Sequence, residues 1–444
     1  MSINSIVANN LCTGCGVCIS EDKSHQAKMV WNNEGFLVPS LGQNSTQDKM
    51  IKVCPFALQQ KNEDELGLMF LQQPENQYHD KIGYYYELYA GYSKEFRETS
   101  SSGGIATYIF KTLLENKLVD NLFIVKEVDG QYAYQFFSNV KEITQISKTR
   151  YTPVTLEKLF QEISEIDGTV AVSGVACFVK AIRLKQIYNP ELKEKIKFVV
   201  GIICGGLKSK YYTDYLAQEA GCQSEYSHAQ YRVKNEQSYA LDYKFSCEEK
   251  LTKRIHMVEM RSLGDMWGTG LFKSNACDFC DDVVTELADI SLGDAWIDPY
   301  DKSGLGNSIV ITRTEIAENL IRNGLDKKHL NLDKLNKEKL LLSQNGSFNH
   351  RHKGLLYRVE HAIKSGKNFP IKRQRYLTKQ NIFFNFIQKS RLKTRQNSLE
   401  IWLETRDNLD FKMKMKPYFE DLKFFTIWNH RVNKLKKILL GKSV

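Results

Sequence analysis

The 444-residue sequence predicts an α/β protein with a small cysteine-bearing unit at its N-terminus and a helical, basic tail at its C-terminus. Between residues 84 and 325, short β-rich runs (L-F-I-V, T-V-A-V, K-F-V-V-G-I-I, A-D-I-S-L) alternate with amphipathic helical patterns such as I-A-T-Y-I-F-K-T-L-L and V-K-A-I-R-L-K-Q-I-Y. That alternation predicts a largely parallel sheet covered by helices. Strand-like segments between residues 226 and 258 (H-A-Q-Y-R-V, Y-A-L-D-Y-K-F) add an antiparallel insertion. Charge marks the tail: of a net +10, residues 351–444 alone hold 23 Lys and Arg against 7 acids, so the remainder is slightly acidic. No run of about 18 apolar residues is present. The first ten residues lack a basic start followed by an apolar run, so a cytoplasmic protein is expected.

Residues 1–60 contain Cys12, Cys15 and Cys18 in C-T-G-C-G-V-C, and Cys54 in V-C-P-F. In a two-cluster bacterial ferredoxin, three cysteines of one run share a 4Fe-4S cluster with the cysteine-proline of the other run. That crossed set is complete here. The second set is erased: Asp22 stands at the cysteine-proline position after Cys18, and stepping back from Cys54 reaches Asn44, Gln47 and Met50. Residues 1–60 are therefore expected to be a ferredoxin-like domain holding one 4Fe-4S cluster, in a protein that moves electrons. Residues 61–83 (K-N-E-D-E-L, Q-Q-P-E-N-Q-Y-H-D-K) are polar and read as a linker.

Four further cysteines form a second candidate metal set in the domain expected at 84–325. Cys177 follows the strand T-V-A-V-S, Cys204 ends the next strand in I-C-G-G, and Cys277 and Cys280 form C-D-F-C. Parallel strands present their carboxyl ends on one edge, where ligands bind. Four thiolates gathered there would hold a second 4Fe-4S cluster. The C-x-x-C pair also fits half a zinc site, and Cys177 and Cys204 also fit as small buried hydrophobes. Cys222 and Cys247 lack a partner pattern and read as structural.

With these motifs assembled, the chain resembles the beta-subunit family of coenzyme F420 hydrogenases and dehydrogenases. The resemblance runs through the N-terminal motif, S-S-S-G-G at 100–104, Gly-x-x-Cys at 174–177, I-C-G-G, C-D-F-C and A-D-I-S-L-G-D-A-W at 288–296. It departs at Val175 and Ala176, where the family usually carries Thr-Pro. The resemblance implies FAD and iron–sulfur clusters, passing electrons from a ferredoxin- or flavodoxin-like donor to a small-molecule substrate, with bacterial relatives in cell-surface polysaccharide synthesis.

For the flavin, Ser101, Ser102, Gly103 and Gly104 precede a helical run whose start favours a phosphate; a plain serine N-cap is the alternative. Arg150 (phosphate) and Tyr151 (stacking), Gly174 in the Gly-x-x-Cys turn, and Gly293 with Asp294 at a strand end are further candidates. Lys208 could offset the charge of a reduced flavin, or simply be solvated.

The tail, 326–444, interleaves aromatics with Lys and Arg. Phe424, Ile427, Trp428, Val432 and Leu435 form an apolar helical stripe. It would either dock on the protein's own core or touch the inner face of an anionic membrane. No nucleic-acid module is recognised. The leading expectation is an iron–sulfur FAD oxidoreductase with no catalytic residue assigned. The alternatives are an electron-transfer subunit serving a partner enzyme, and a zinc-stabilised interaction protein.

Overall fold

The computed structural model describes residues 2–439 apart from residues 129 and 147. A hairpin of β1 (Lys28–Trp31) and β2 (Leu37–Ser40) follows the first three cysteines. A second hairpin, β3 (Gln77–His79) with β4 (Gly83–Tyr85), leads into the main sheet. That sheet contains β5 (Glu87–Ser93), β6 (Asn121–Val128), β7 (Gln131–Phe137), β8 (Val170–Val175) and β9 (Ile196–Ile202). The chain then makes an antiparallel three-stranded sheet of β10 (Tyr226–Val233), β11 (Lys244–Glu249) and β12 (Ile255–Glu259). It returns with β13 (Ile290–Asp294), β14 (Ser308–Thr312) and β15 (Leu330–Lys334), completing the order β15-β5-β14-β13-β9-β8-β6-β7.

The centre of the sheet, β13-β9-β8-β6, is parallel, and antiparallel strands close both flanks. The α/β expectation and the antiparallel insertion are both realised. Strand periodicity explains why two helical layers form. Val170, Val172 and Val199 pack on one face with the helix Ala176–Tyr188, while Ala171, Phe198 and Val200 pack on the other with the helix Ile105–Glu115. β15 is paired with β5, so the sheet continues past the boundary expected at residue 325.

The segment 61–83 is not a linker. Asn62 and Glu65 form a capping box for the helix Glu63–Phe70, and Leu66, Leu71 and Ile82 are fully buried. Polar composition was misleading because its acids pair inward: Glu63 meets Lys180 at 3.0 Å and Asp64 meets Arg373 at 3.2 Å. The helix Ala176–Tyr188 likewise buries Lys180, Arg183 and Lys185, the last two against Asp289 and Glu21.

Asp22, at the erased ligand position, is a cross-link in its own right. Its carboxylate accepts from Ser24 N and Oγ, Gln26 N and Ala27 N on one loop, and from Ser45 Oγ and Thr46 N on the other. A carboxylate thus ties the loops that a second cluster would have joined. Burial opposes its charge, but the donors from Ala27, Ser24, Thr46 and Ser45 outweigh this and hold its pKa well below 3.8. A carboxyl with a lowered folded-state pKa stabilises above its unfolded pKa, and that contribution is lost as pH falls through the folded value. Asp22→Asn is therefore expected to lower stability at pH 7 by on the order of 3 kcal/mol, the gap from the parent closing in acid below 3.8. Denaturant midpoints for the two proteins at both pH values check it.

The tail forms the helices Leu355–Lys364, Ile382–Thr405 and Asn408–Leu439, the last two in a hairpin turning at Arg406 with φ 51°. Trp402 and Phe411 clasp Phe272, and Phe386 stacks on Phe425. The predicted stripe does not dock on the core: Phe424, Ile427, Trp428 and Leu435 are exposed, and Phe411, Met415 and Leu422 face inward instead. No helix among the described residues is long and apolar enough to cross a membrane.

Candidate functional site

The N-terminal thiols come together. Cys12, Cys15, Cys18 and Cys54 line one space, walled by Ile3, Ile6, Leu11 and Phe56. Burial pushes the Cys18 thiol far up, and Cys15, Cys12 and Cys54 push it further, which places all four within mutual electrostatic reach. The loop that carries them leans on the central domain. Gly16 has φ +75°, and a Cβ there would stand 2.0 Å from Thr155 Oγ1.

The central quartet also gathers. β8 and β9 are parallel neighbours, so Cys177, in the first turn after β8, and Cys204, just after β9, share one sheet edge. Cys277 and Cys280 reach it from the 3-10 turn Asn275–Phe279. Burial raises the Cys177 thiol, followed by Cys280, Cys277, Cys204 and then Cys15 of the first quartet. The two sets are therefore adjacent. Gly206 N donates to Cys204 Sγ (3.2 Å) and Leu207 N to Cys277 Sγ (3.1 Å), the donors that thiolates require.

All eight are free thiols. Among the described residues, no three sulfurs of either quartet lie mutually within 4.8 Å. Four sulfurs around one zinc at ~2.3 Å would stand only ~3.8 Å apart. Four thiols in each set are the donors that a four-iron cubane takes, one for each iron.

The basic tail supplies much of the surrounding charge. Arg351 Nη1 lies 3.3 Å from Cys280 Sγ, and its other nitrogen donates to Cys204 O. Asp278, inside C-D-F-C, is bound by Lys273 (2.7 Å) and Arg395 (2.8 Å), while Arg358 donates to its carbonyl. Asp281 and Glu286 are held by Arg373 at 3.3 and 2.7 Å. The cations of residues 351–395 thus neutralise an acidic loop and cap the central thiols. Nothing in the local sequence around Arg351 marks it.

A second constellation surrounds residues 100–104. Lys234 donates to Ser102 O at 2.9 Å and also to Arg97 O. Burial first, then Arg232, Arg97 and Lys148, push Lys234 down to about 7, with Asp294 opposing them. Ser100 Oγ, Arg150 Nε and Arg232 Nε are buried without hydrogen-bond partners. Crowded cations and orphaned donors of this kind fit an anion. Arg232 lies near the end of β10 and Lys234 just past it, a signal present in R-V-K but easily taken for a solvated strand face.

The glycines there are explained by packing rather than by phosphate approach. A Cβ on Gly103 would lie 2.6 Å from Gly91 O, and one on Gly104 would lie 2.6 Å from the Phe96 carbonyl carbon. Gly174 and Gly293 similarly pack close to Phe178 and Ile203. Ser101 Oγ accepts from Thr149 N, tying the serine loop to the Arg150 segment. Tyr151 is engaged edge-on by Tyr231 and Trp267 and lies within electrostatic reach of Asp294 and Cys204. Asp294 is not a free acid: Arg232 pairs with it at 2.5 Å. Lys208 is not solvated either. It is buried, donates to Met266 O and Leu271 O, and lies over the Tyr212 and Trp267 rings.

Two models of one family, the beta subunit of coenzyme F420 hydrogenase/dehydrogenase, match the chain. The model of that family's N-terminal part takes residues 88–161, and the model of its C-terminal part takes residues 167–338. Together they span more than half the chain and include the whole central quartet. The chain belongs to this family. The coenzyme F420 hydrogenase subunit beta of Methanosarcina barkeri is 24% identical over 228 residues, 49% of this chain and 74% of that protein. The coenzyme F420-dependent sulfite reductase of Methanocaldococcus jannaschii is 24% identical over 269 residues, 57% of this chain and 39% of that longer protein. A chain of the F420-reducing nickel–iron hydrogenase complex from Methanosarcina barkeri superposes with a TM-score of 0.51 at 20% identity, covering 67% of this chain and 98% of that one. At that identity the likeness shows the fold. The N-terminal quartet and the capping arginines lie outside the residues that the two family models match.

Proposed function

We propose that this beta-subunit family member is the electron-transfer subunit of an oxidoreductase, holding two 4Fe-4S clusters and an FAD and passing electrons to or from a partner protein. The observation that carries this reading is the pair of adjacent thiol quartets, with Cys12 and Cys54 of one and Cys177 and Cys280 of the other packed against the same apolar cluster. When bound, such clusters exchange single electrons and a flavin exchanges one or two. The relatives' names, a hydrogenase subunit and a sulfite reductase, support a partner enzyme more than a self-contained one. The polysaccharide role rests on the family resemblance alone.

The chain's residues supply the surroundings. Gly206 N, Leu207 N and Arg351 stabilise negative sulfur at the central quartet. Ile3, Ile6, Leu11 and Phe56 shield the N-terminal one from water. Arg150, Arg232 and Lys234 would bind the flavin diphosphate, with Tyr151 between that cradle and Cys204.

Anaerobically purified protein is expected to contain about eight irons, four per cubane, and one FAD. The reduced flavin should reoxidise only when a partner protein is added. Zinc in the quartets with no flavin, or rapid turnover of a small molecule by the chain alone, would defeat this reading. Lys234→Ala is expected to weaken FAD retention by roughly 10- to 100-fold, the effect of one charge-assisted hydrogen bond. Burial holds the unliganded lysine down to about 7, and a bound phosphate would raise it, so retention in the parent should be steady below about pH 7 and fall as pH rises above it. Flavin release after dilution measures both.

A further inference from the structure

Cys222 and Cys247, which carry no motif, stand in a second kind of metal-ligand setting far along the fold from the quartets. β11 places Cys247 and Glu249 on one face, two residues apart, and the register of β12 sets His256 directly opposite Cys247. The helix Tyr211–Glu219 ends at Gly221 (φ +93°), and this turn lays Cys222 over the same face. Ligand atoms of Cys222, Glu249 and His256 all lie within 4.8 Å of one another, and Cys247 stands beside them as the cross-strand partner of His256.

Three details go beyond chance proximity. His256 Nε2 is buried with no hydrogen-bond partner, the nearest carboxylate oxygen being Glu249 Oε2 at 3.8 Å. Glu249 is already oriented by Ser224 Oγ at 2.9 Å and by Thr252 Oγ1, the outer support that ligating carboxylates require. Both thiols are buried and free of any disulfide, and Cys222 Sγ makes a long hydrogen bond to Ser224 O at 3.5 Å that a metal would replace.

We propose that Cys222, Cys247, His256 and Glu249 bind one zinc ion. Two thiolates, an imidazole and a carboxylate are a borderline-soft set that suits tetrahedral zinc, and four protein ligands make a closed, structural site. Binding releases the thiol protons and involves no electron transfer. The ion would pin the hairpin β11–β12 to the end of the helix Tyr211–Glu219, and so steady the sheet whose β10 carries Arg232 and leads into Lys234.

The test is metal analysis and zinc-edge X-ray absorption on the full chain, purified anaerobically from zinc-supplemented medium. About one zinc per chain is expected, with two sulfurs at ~2.3 Å and two nitrogen or oxygen ligands at ~2.0–2.2 Å. The double variant Cys222→Ser with Cys247→Ser should lose at least about nine-tenths of that zinc while its iron stays at the parent level. Absorption on the unmutated protein keeps the test decisive if the variant fails to fold. Zinc-free parent protein, a zinc surrounded by four sulfurs, or Cys222 and Cys247 recovered as a disulfide would each overturn the proposal. Iron is counted separately, so failure of the cluster reading is distinguishable from failure of this one.

Discussion

Serine at Cys177 is expected to remove about four irons per chain, half the total, and serine at Cys15 the other half. The quartets draw on different segments, 12–54 and 177–280, and each has its own backbone or apolar support. Loss of one should leave the other's iron in place, while the double variant should be colourless. Metal and sulfide analysis with visible spectra reads the result. Iron content unchanged by either single variant would refute the ligand assignment. Because the two sets are neighbours, Cys177→Ser should also stop electrons passing between the N-terminal cluster and the flavin, which rapid-mixing reduction would show.

The second large effect is expected at Arg373. Its guanidinium is buried and meets Asp281 at 3.3 Å, Glu286 at 2.7 Å and Asp64 at 3.2 Å. One tail residue thereby joins the segment 61–83, the loop after C-D-F-C and the C-terminal extension. Arg373→Ala strands carboxylates in a low-dielectric interior, and breaking such a buried set costs about 3–5 kcal/mol. Arg373→Lys should recover only part, because one ammonium cannot fork between three carboxylates. Denaturant unfolding followed by far-UV circular dichroism measures it, and an unshifted midpoint for Arg373→Ala would contradict this account.

Acids already crowd this region before any substitution. Burial first, then Glu286 and Glu63, push Asp282 up to about 8, so the loop tolerates little more negative charge. That is why residues 351–395 are basic. Part of that charge, which in the sequence reads as a solvated or membrane-facing tail, is used inside the protein: Lys372 and Arg373 meet Asp281, Arg373 also meets Glu286, and Arg395 meets Asp278. The stripe of Phe424, Ile427, Trp428 and Leu435 stays exposed.

The sequence by itself determined the elements whose signals are local. Strand runs such as residues 170–175 are short apolar stretches buried on both faces, and cysteine spacing at 12–18 and 277–280 is ligand geometry written within a few residues. The convergence of Cys177 and Cys204 followed from one topological rule about parallel strands. Only the tertiary structure decided which cations are buried, that Asp22 ties two loops together, that Arg351 caps Cys280, and that Cys222 meets Glu249 and His256. Each of these depends on segments brought together across tens to hundreds of residues. A buried ion pair is stable only when desolvation is matched by its partner, and no local pattern records where that partner is.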